Sequence, residues 1–302
     1  MGRPCSTPCA RKTGSASPAG RRSWPGRSCA SPTWVSSASP TWKPGSPPWR
    51  GGSRKSVPER TPLLFEAVTK VYLRSHLGRT TRSRGIDGVS FALQEGEVFG
   101  LLGLNGQGKT TTMKLALGLL APSEGRIRVF GREPRSSEAL AQVGFLPELP
   151  YFYPYLTPRE ALAFYGSLSR MPAQDIRRRT EDVLADVGLL ASADRKAREF
   201  SKGMLQRLGL AQAMLHRPNL YVLDEPVSGL DPLAIHDIRE LLGSLNEQGA
   251  TILLSSHSIS EVERLCHRVG ILVEGRFVRI LESKDWAVEG LEKLFIETVR
   301  PS

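Results

Sequence analysis

Long apolar runs are missing from this chain. None of its 302 residues lies in an uninterrupted apolar stretch of about 18, so nothing in the sequence crosses a bilayer by itself. The apolar core of a secretory signal peptide is absent too. Cysteine is scarce: Cys5, Cys9 and Cys29 fall within the first 60 residues, which leaves Cys266 alone in the body. One thiol excludes a disulfide framework and a cysteine-based metal site there, and it suits a reducing compartment. Acids are nearly absent from residues 1–60, where the single Glu59 faces 11 Lys and Arg. The remaining 30 bases meet 29 acids, so the formal charge of +11 belongs to the tail. A near-neutral body gives no case for binding nucleic acid.

Residues 1–60 are rich in Ser, Pro, Gly and Arg and show no hydrophobic period. Trp24, Trp34, Trp42 and Trp49 stand among prolines at no regular repeat, and the segment reads as a disordered, basic, low-complexity tail. Three origins stay open. It is a basic tail that touches anionic lipid, or a targeting peptide whose prolines oppose the helix it needs, or translated upstream sequence that is not natural protein. The last fits the abrupt change near Thr61 and the lack of Met between Met1 and Met113, with a natural start at another codon such as Val57.

What is present begins at Gly103-Leu104-Asn105-Gly106-Gln107-Gly108-Lys109-Thr110, a full G-x-x-x-x-G-K-[ST] phosphate loop. The apolar run Val98–Leu102 precedes it and Thr110–Leu120, at helical spacing, follows. Glycines let successive backbone N–H groups crowd a polyphosphate, and the helix start adds its positive dipole end. Lys109 supplies a point charge to β/γ-phosphates and Thr110 a hydroxyl to Mg²⁺, with Thr111 next along the helix start.

From residue 61 to 302 the pattern is α/β. Short strands at Leu63–Val68 and Val89–Leu93, joined by Arg126–Phe130, predict a small antiparallel sheet beside a main one. Residues 150–217 read as a helical subdomain. Thr157-Pro158-Arg159-Glu160 is a capping box opening a helix with Leu162, Tyr165 and Leu168, broken by Pro172. Ile176, Val183, Leu184 and Val187 mark the next helix, which Gly188 stops. The runs Leu220–Leu223 and Thr251–Leu254 do not alternate, as expected of parallel strands buried on both faces. Between them Asp231 and Pro232 cap a helix with Ile238, Leu241, Leu242 and Leu245 on one face, making a crossover unit.

Asp224 and Glu225 end one buried strand, where open α/β sheets place ligands. Asp224 suits Mg²⁺; Glu225 suits polarising the water that attacks a γ-phosphate. With Asp224-Glu225-Pro226, Ser228-Gly229-Leu230-Asp231 and Ser256-His257, residues 62–302 resemble the ATP-binding cassette (ABC) ATPases, the nucleotide-binding subunits of ABC transporters. Phe200-Ser201-Lys202-Gly203-Met204 stands at the family signature, usually Leu-Ser-Gly-Gly-Gln, and keeps the Ser and the second Gly.

The resemblance implies a P-loop NTPase with a RecA-like, mostly parallel core sheet, a small antiparallel β subdomain and an α-helical subdomain carrying the signature. It implies ATP and Mg²⁺ as ligands, and a head-to-tail dimer, homodimeric or with a related ATPase subunit. Ser201, Lys202, Gly203 and Met204 would face the partner's γ-phosphate. His257 would hold Glu225 and the water in line, and Asp231 in the D-loop (Ser228, Gly229, Leu230, Asp231) would couple the two sites. Tyr72 stands where the family stacks adenine, a core tyrosine being the alternative. Glu148, where Gln is usual, would ligate Mg²⁺ while adding negative charge.

The Pro147-Glu148 ending and the Phe-Ser-Lys-Gly-Met signature resemble the branch that pairs with a separately encoded integral membrane subunit, often for export. The chain would then sit in the cytoplasm against the inner face of the membrane. Tyr151, Phe152, Tyr153 and Tyr155 either cover the helical subdomain's core or form an exposed patch that receives a helix of the membrane subunit. Leu291-Glu292-Lys293-Leu294-Phe295-Ile296 resembles the branch's usual, complete C-terminus. A DNA-linked ABC protein would need a long coiled coil, a ribosome-linked one a second cassette, and a P-loop kinase would have no use for the signature or His257. Neither the coiled coil nor the second cassette is found in the sequence.

Overall fold

The computed structural model describes residues 61–76 and 79–300. The 1–60 tail, with every reading attached to it, lies outside the described residues. In chain order come β1 (Leu63–His76), β2 (Arg79–Ala92), β3 (Val98–Leu102), α1 (Lys109–Ala116), β4 (Glu124–Val129), α2 (Ser137–Leu140) and β5 (Val143–Leu146). Then follow α3 (Pro158–Leu168), α4 (Ala173–Asp186), α5 (Lys202–Met214), β6 (Leu220–Asp224), α6 (Pro232–Glu247) and β7 (Thr251–Ser256). The last are α7 (Ile259–Leu265), β8 (Arg268–Val273), β9 (Arg276–Glu282), α8 (Ser283–Glu289) and α9 (Leu291–Val299).

The main sheet has the order β5-β6-β7-β3-β8-β9, parallel except that β9 runs antiparallel to β8. Its central strands β3, β6 and β7 are buried at every residue. Successive side chains leave a strand on opposite faces, and both faces are covered. Val98, Leu102, Tyr221, Leu223, Ile252 and Leu254 pack on the side of the helical segment α3–α5. Phe99, Leu101, Leu220, Val222 and Leu253 pack on the other side, with β1, β2, β4 and α1. That double burial is why these strands read as unbroken apolar runs.

The small sheet, order β2-β1-β4, is antiparallel throughout. Stacked rings tie it to the main sheet: Phe65–Phe91 at 4.8 Å and Phe91–Phe99 at 5.3 Å. Its β1–β2 hairpin runs well past the Leu63–Val68 and Val89–Leu93 segments expected from apolar pattern. Beyond Val71, Tyr72 and Leu73 the extension is polar and basic, and it is held by cross-strand pairing from Val71↔Arg84 to His76↔Arg79.

Two helix ends differ from expectation. α1 stops at Ala116, not Leu120, because Gly118 turns to φ 66° and Leu119 faces solvent. α3 ends at Leu168, short of Pro172, with Arg170 at φ 57°, and Leu168 is exposed and not part of the buried face. Pro172 is instead the N-cap of α4. The capping box of α3 forms as expected, Thr157 accepting from Glu160 N–H and Glu160 from Thr157 N–H.

Candidate functional site

The phosphate loop, the two carboxylates and the histidine meet at the carboxyl ends of β3, β6 and β7. There they line one cleft of about 460 Å³. Leu104, Asn105, Gly106, Gly108, Lys109, Thr110 and Thr111 form one wall; Asp224, Glu225, Ser228, Glu148, His257 and Tyr72 line the cleft too, with Ser83, Arg84 and Gly85 of β2. Gly108 precedes α1 at φ 104°, and a Cβ there would stand 2.5 Å from the Gly85 carbonyl, so only glycine fits. Gly103 and Gln107 shape the loop from outside the lining. Gly103 lies against the Leu272 carbonyl, and Gln107 Oε1 accepts the Glu274 N–H on the β8–β9 turn.

Lys109 is buried, and a buried ammonium needs partners. Its Nζ donates to the Gly103 carbonyl at 2.5 Å and stands 3.6 Å from Glu225 Oε1. The other Glu225 oxygen accepts His257 Nδ1–H at 2.7 Å, while the imidazole remains mostly exposed. Lysine, glutamate and histidine thus form one connected line. Glu225 itself sits at φ 49°, a left-handed conformation that costs a non-glycine residue about 1 kcal/mol. Such strain persists only where neighbours hold it.

The neighbour is Ser255, which sequence reading passed over. Its hydroxyl donates to Asp224 Oδ1 at 2.6 Å and accepts the Glu225 N–H at 3.0 Å, fixing the Asp224 carboxylate and the Glu225 backbone from the adjacent strand. The one available signal was a hydroxyl pair, Ser255-Ser256, closing a strand otherwise buried and apolar.

The other expected residues divide between the cleft and its surroundings. Tyr72 lies in the cleft with its hydroxyl 3.2 Å from Thr111 Oγ1. Ser201, Lys202, Gly203 and Met204 are not in its lining. Ser201 Oγ accepts Met204 N–H as the N-cap of α5, and Lys202 Nζ lies over the D-loop, 2.5 Å from where a Cβ of Gly229 would be. Leu230 packs against the core, and Asp231 Oδ1 accepts from Leu233 and Ala234 N–H, capping α6. Away from the cleft the aromatic loop divides between its two readings. Phe152 is buried against Tyr165, while Tyr151, Tyr153 and Tyr155 are exposed at 77%, 43% and 61%.

The ABC transporter family model matches residues 86–228. An uncharacterized ABC transporter ATP-binding protein of Synechocystis is 42% identical over 244 residues, covering 76% of this chain and 69% of that one. The Nod factor export ATP-binding protein I of Paraburkholderia xenovorans is 45% identical over 63% of this chain and 64% of its own length. Among solved structures, an ATP-binding subunit of an ABC transporter superimposes with a TM-score of 0.69 at 31% identity. That match covers 79% of this chain and 99% of the other. With likeness of that degree carried across its sequence and its fold, the chain belongs to the ABC transporter ATP-binding proteins and is an ATPase subunit of that kind.

Proposed function

We propose that the chain binds ATP with Mg²⁺ in this cleft and hydrolyses it with Glu225 as the base. Closure of a two-cassette dimer would then drive export through a separate integral membrane subunit. The supporting observation is the Lys109–Glu225–His257 line inside the phosphate-loop cleft, with the signature residues outside it. A β/γ-phosphate would draw Lys109 Nζ from the Gly103 carbonyl and from Glu225. The freed carboxylate oxygen accepts a proton from the attacking water. His257 holds the other oxygen through Nδ1–H, and to donate to the γ-phosphate as well it would carry a second proton, on Nε2.

Thr110, Asp224 and Glu148 offer only oxygen donors from the walls of one cleft, which fits a hard cation. Among the described residues no group of three or more His, Cys, Asp or Glu could hold a metal alone, so phosphate oxygens and water would complete the shell. Bound there, Mg²⁺ would offset charge on the β- and γ-phosphates.

Ser201 and Gly203, at the start of α5, would donate to the γ-phosphate held by a second cassette, identical or related, with Lys202 and Met204 beside them. Ser228 to Asp231 would link the two sites. Residues 61–302 act as one ATPase domain with residues 150–217 as its helical subdomain. The exposed tyrosines Tyr151, Tyr153 and Tyr155 suit a docking helix of the membrane subunit, which would place the chain on the inner face of the membrane. Likeness to a Nod factor export protein supports outward transport. Glu225→Gln tests the scheme: ATP binding is expected to persist while gel filtration with ATP shows a stable dimer. A fully active variant would remove Glu225 as the base.

A further inference from the structure

The base end of the cleft holds residues that phosphate chemistry at Lys109 leaves unexplained. Ser83, Arg84 and Gly85 of β2 line the cleft beside Tyr72 of β1, whose register partner is Ser83. Tyr72 is fixed from several sides. Its hydroxyl meets Thr111 Oγ1, and Lys70 Nζ stands 5.7 Å from its ring centroid while donating to the Ala121 carbonyl at 2.7 Å. A Cβ on Gly85 would stand 2.7 Å from Tyr72 Cε2 and 3.0 Å from Thr111 Cγ2, so the ring and the first turn of α1 both rest against this strand. A base on Tyr72 therefore sets its ribose and α-phosphate near Thr111 and the Ser83–Gly85 backbone.

Charge is divided along the cleft. Lys109, Asp224 and Glu225 gather at the phosphate-loop end, whereas among the described residues Arg84 is the cation that lines the Tyr72 end, with Lys70 beside the ring but outside the lining. No acid occurs between Glu66 and Asp87 in the sequence. The Arg84 side chain is 67% exposed, and its ion pair is with Asp87, at 2.8 Å. Asp87 does not depend on it alone. Arg276 of β9 donates to the same carboxylate through Nε at 3.0 Å and Nη2 at 2.5 Å, and it is the main reason Asp87 is held below the usual carboxylate range. An exposed pair three residues apart contributes little, so Arg84 can leave it at small cost.

We propose that Arg84 is a nucleotide-binding residue: its guanidinium turns from Asp87 to the ribose and α-phosphate of a nucleotide stacked on Tyr72, while Arg276 keeps Asp87 neutralised. The planar fork of donors suits a phosphate better than a point charge does. The proposal rests on the cleft being the ATP site, and it predicts a nucleotide contact shared by ATP, ADP and AMP.

Isothermal titration of the full chain with each of the three nucleotides separates the possibilities, using wild type, Arg84→Ala, Arg84→Lys and Lys109→Ala. Arg84→Ala is expected to raise Kd roughly tenfold for all three alike, as loss of a charge-assisted contact does. Arg84→Lys should recover part of the loss. Lys109→Ala should instead weaken ATP and ADP far more than AMP. Wild-type Kd values for Arg84→Ala, or a loss confined to ATP, would overturn the proposal. Wild-type ATP binding by Lys109→Ala would overturn the cleft assignment itself, and the role of Arg84 with it.

Discussion

Replacing Ser255 by alanine removes one hydroxyl and, with it, two bonds to the acidic pair Asp224 and Glu225. The first is the 2.6 Å donation to Asp224 Oδ1, a hydrogen bond to a charged group of the kind that contributes about 1.5–3 kcal/mol. The second leaves the Glu225 N–H with no acceptor at a residue only 7% exposed, and a buried orphan donor costs about 1–3 kcal/mol. The two losses share a partner and do not add in full, so a destabilisation of about 3 kcal/mol is expected. That is a large part of a typical domain's margin of about 5–15 kcal/mol. Urea unfolding followed by circular dichroism reads it directly. Turnover should fall by about a hundredfold, because Asp224 and Glu225 lose the strut that sets their positions, and small misplacements of reacting groups are costly. A variant within ~0.5 kcal/mol of wild type and with normal turnover would refute the reasoning, since that is the range of an ordinary surface change. It would mean that the left-handed turn at Glu225 is held by something other than this serine.

Why Ser255 escaped a reading of the sequence while Lys109 did not is a matter of what leaves a pattern. β3, β6 and β7 were legible because burial on both faces forces unbroken apolar runs, and Asp231 and Thr157 because helix starts need a side-chain acceptor. The phosphate loop was legible because close backbone approach admits only glycine, as at Gly108. A serine within a strand has no such requirement to betray it. The outer half of the β1–β2 hairpin was invisible for a related reason. It is held by cross-strand backbone pairing, and its sequence is mostly polar and basic with no apolar alternation to mark a strand, so Arg84 and Gly85 went unnoticed there. Leu168 shows the limit of apolar spacing as a signal: it stands at helical spacing with Leu162 and Tyr165, yet it is exposed.

Three further outcomes follow from named contacts. Ser201→Arg should abolish ATP turnover while each chain still binds ATP, as measured by phosphate release and titration; normal hydrolysis would argue against a site shared between cassettes. Asp231→Ala removes the acceptor for two N–H groups at the start of α6 and should cost about 1 kcal/mol in urea unfolding, with a change near zero showing that water caps the helix as well. The last concerns acid. Burial pushes the His216 imidazole below its ordinary 6.5, and the ring bonds the Val143 carbonyl through Nε2 at 3.2 Å. The fold therefore favours neutral His216. Its contribution is fully present above the unfolded-state value and is lost as pH falls through the lower folded-state value, because the unfolded chain then binds the extra proton. Urea unfolding of wild type should weaken from pH 7 downward through that window. His216→Gln, which keeps a donor to Val143 and cannot titrate, should weaken less over the same range; parallel pH profiles for the two proteins would exclude His216 as a source of the acid sensitivity.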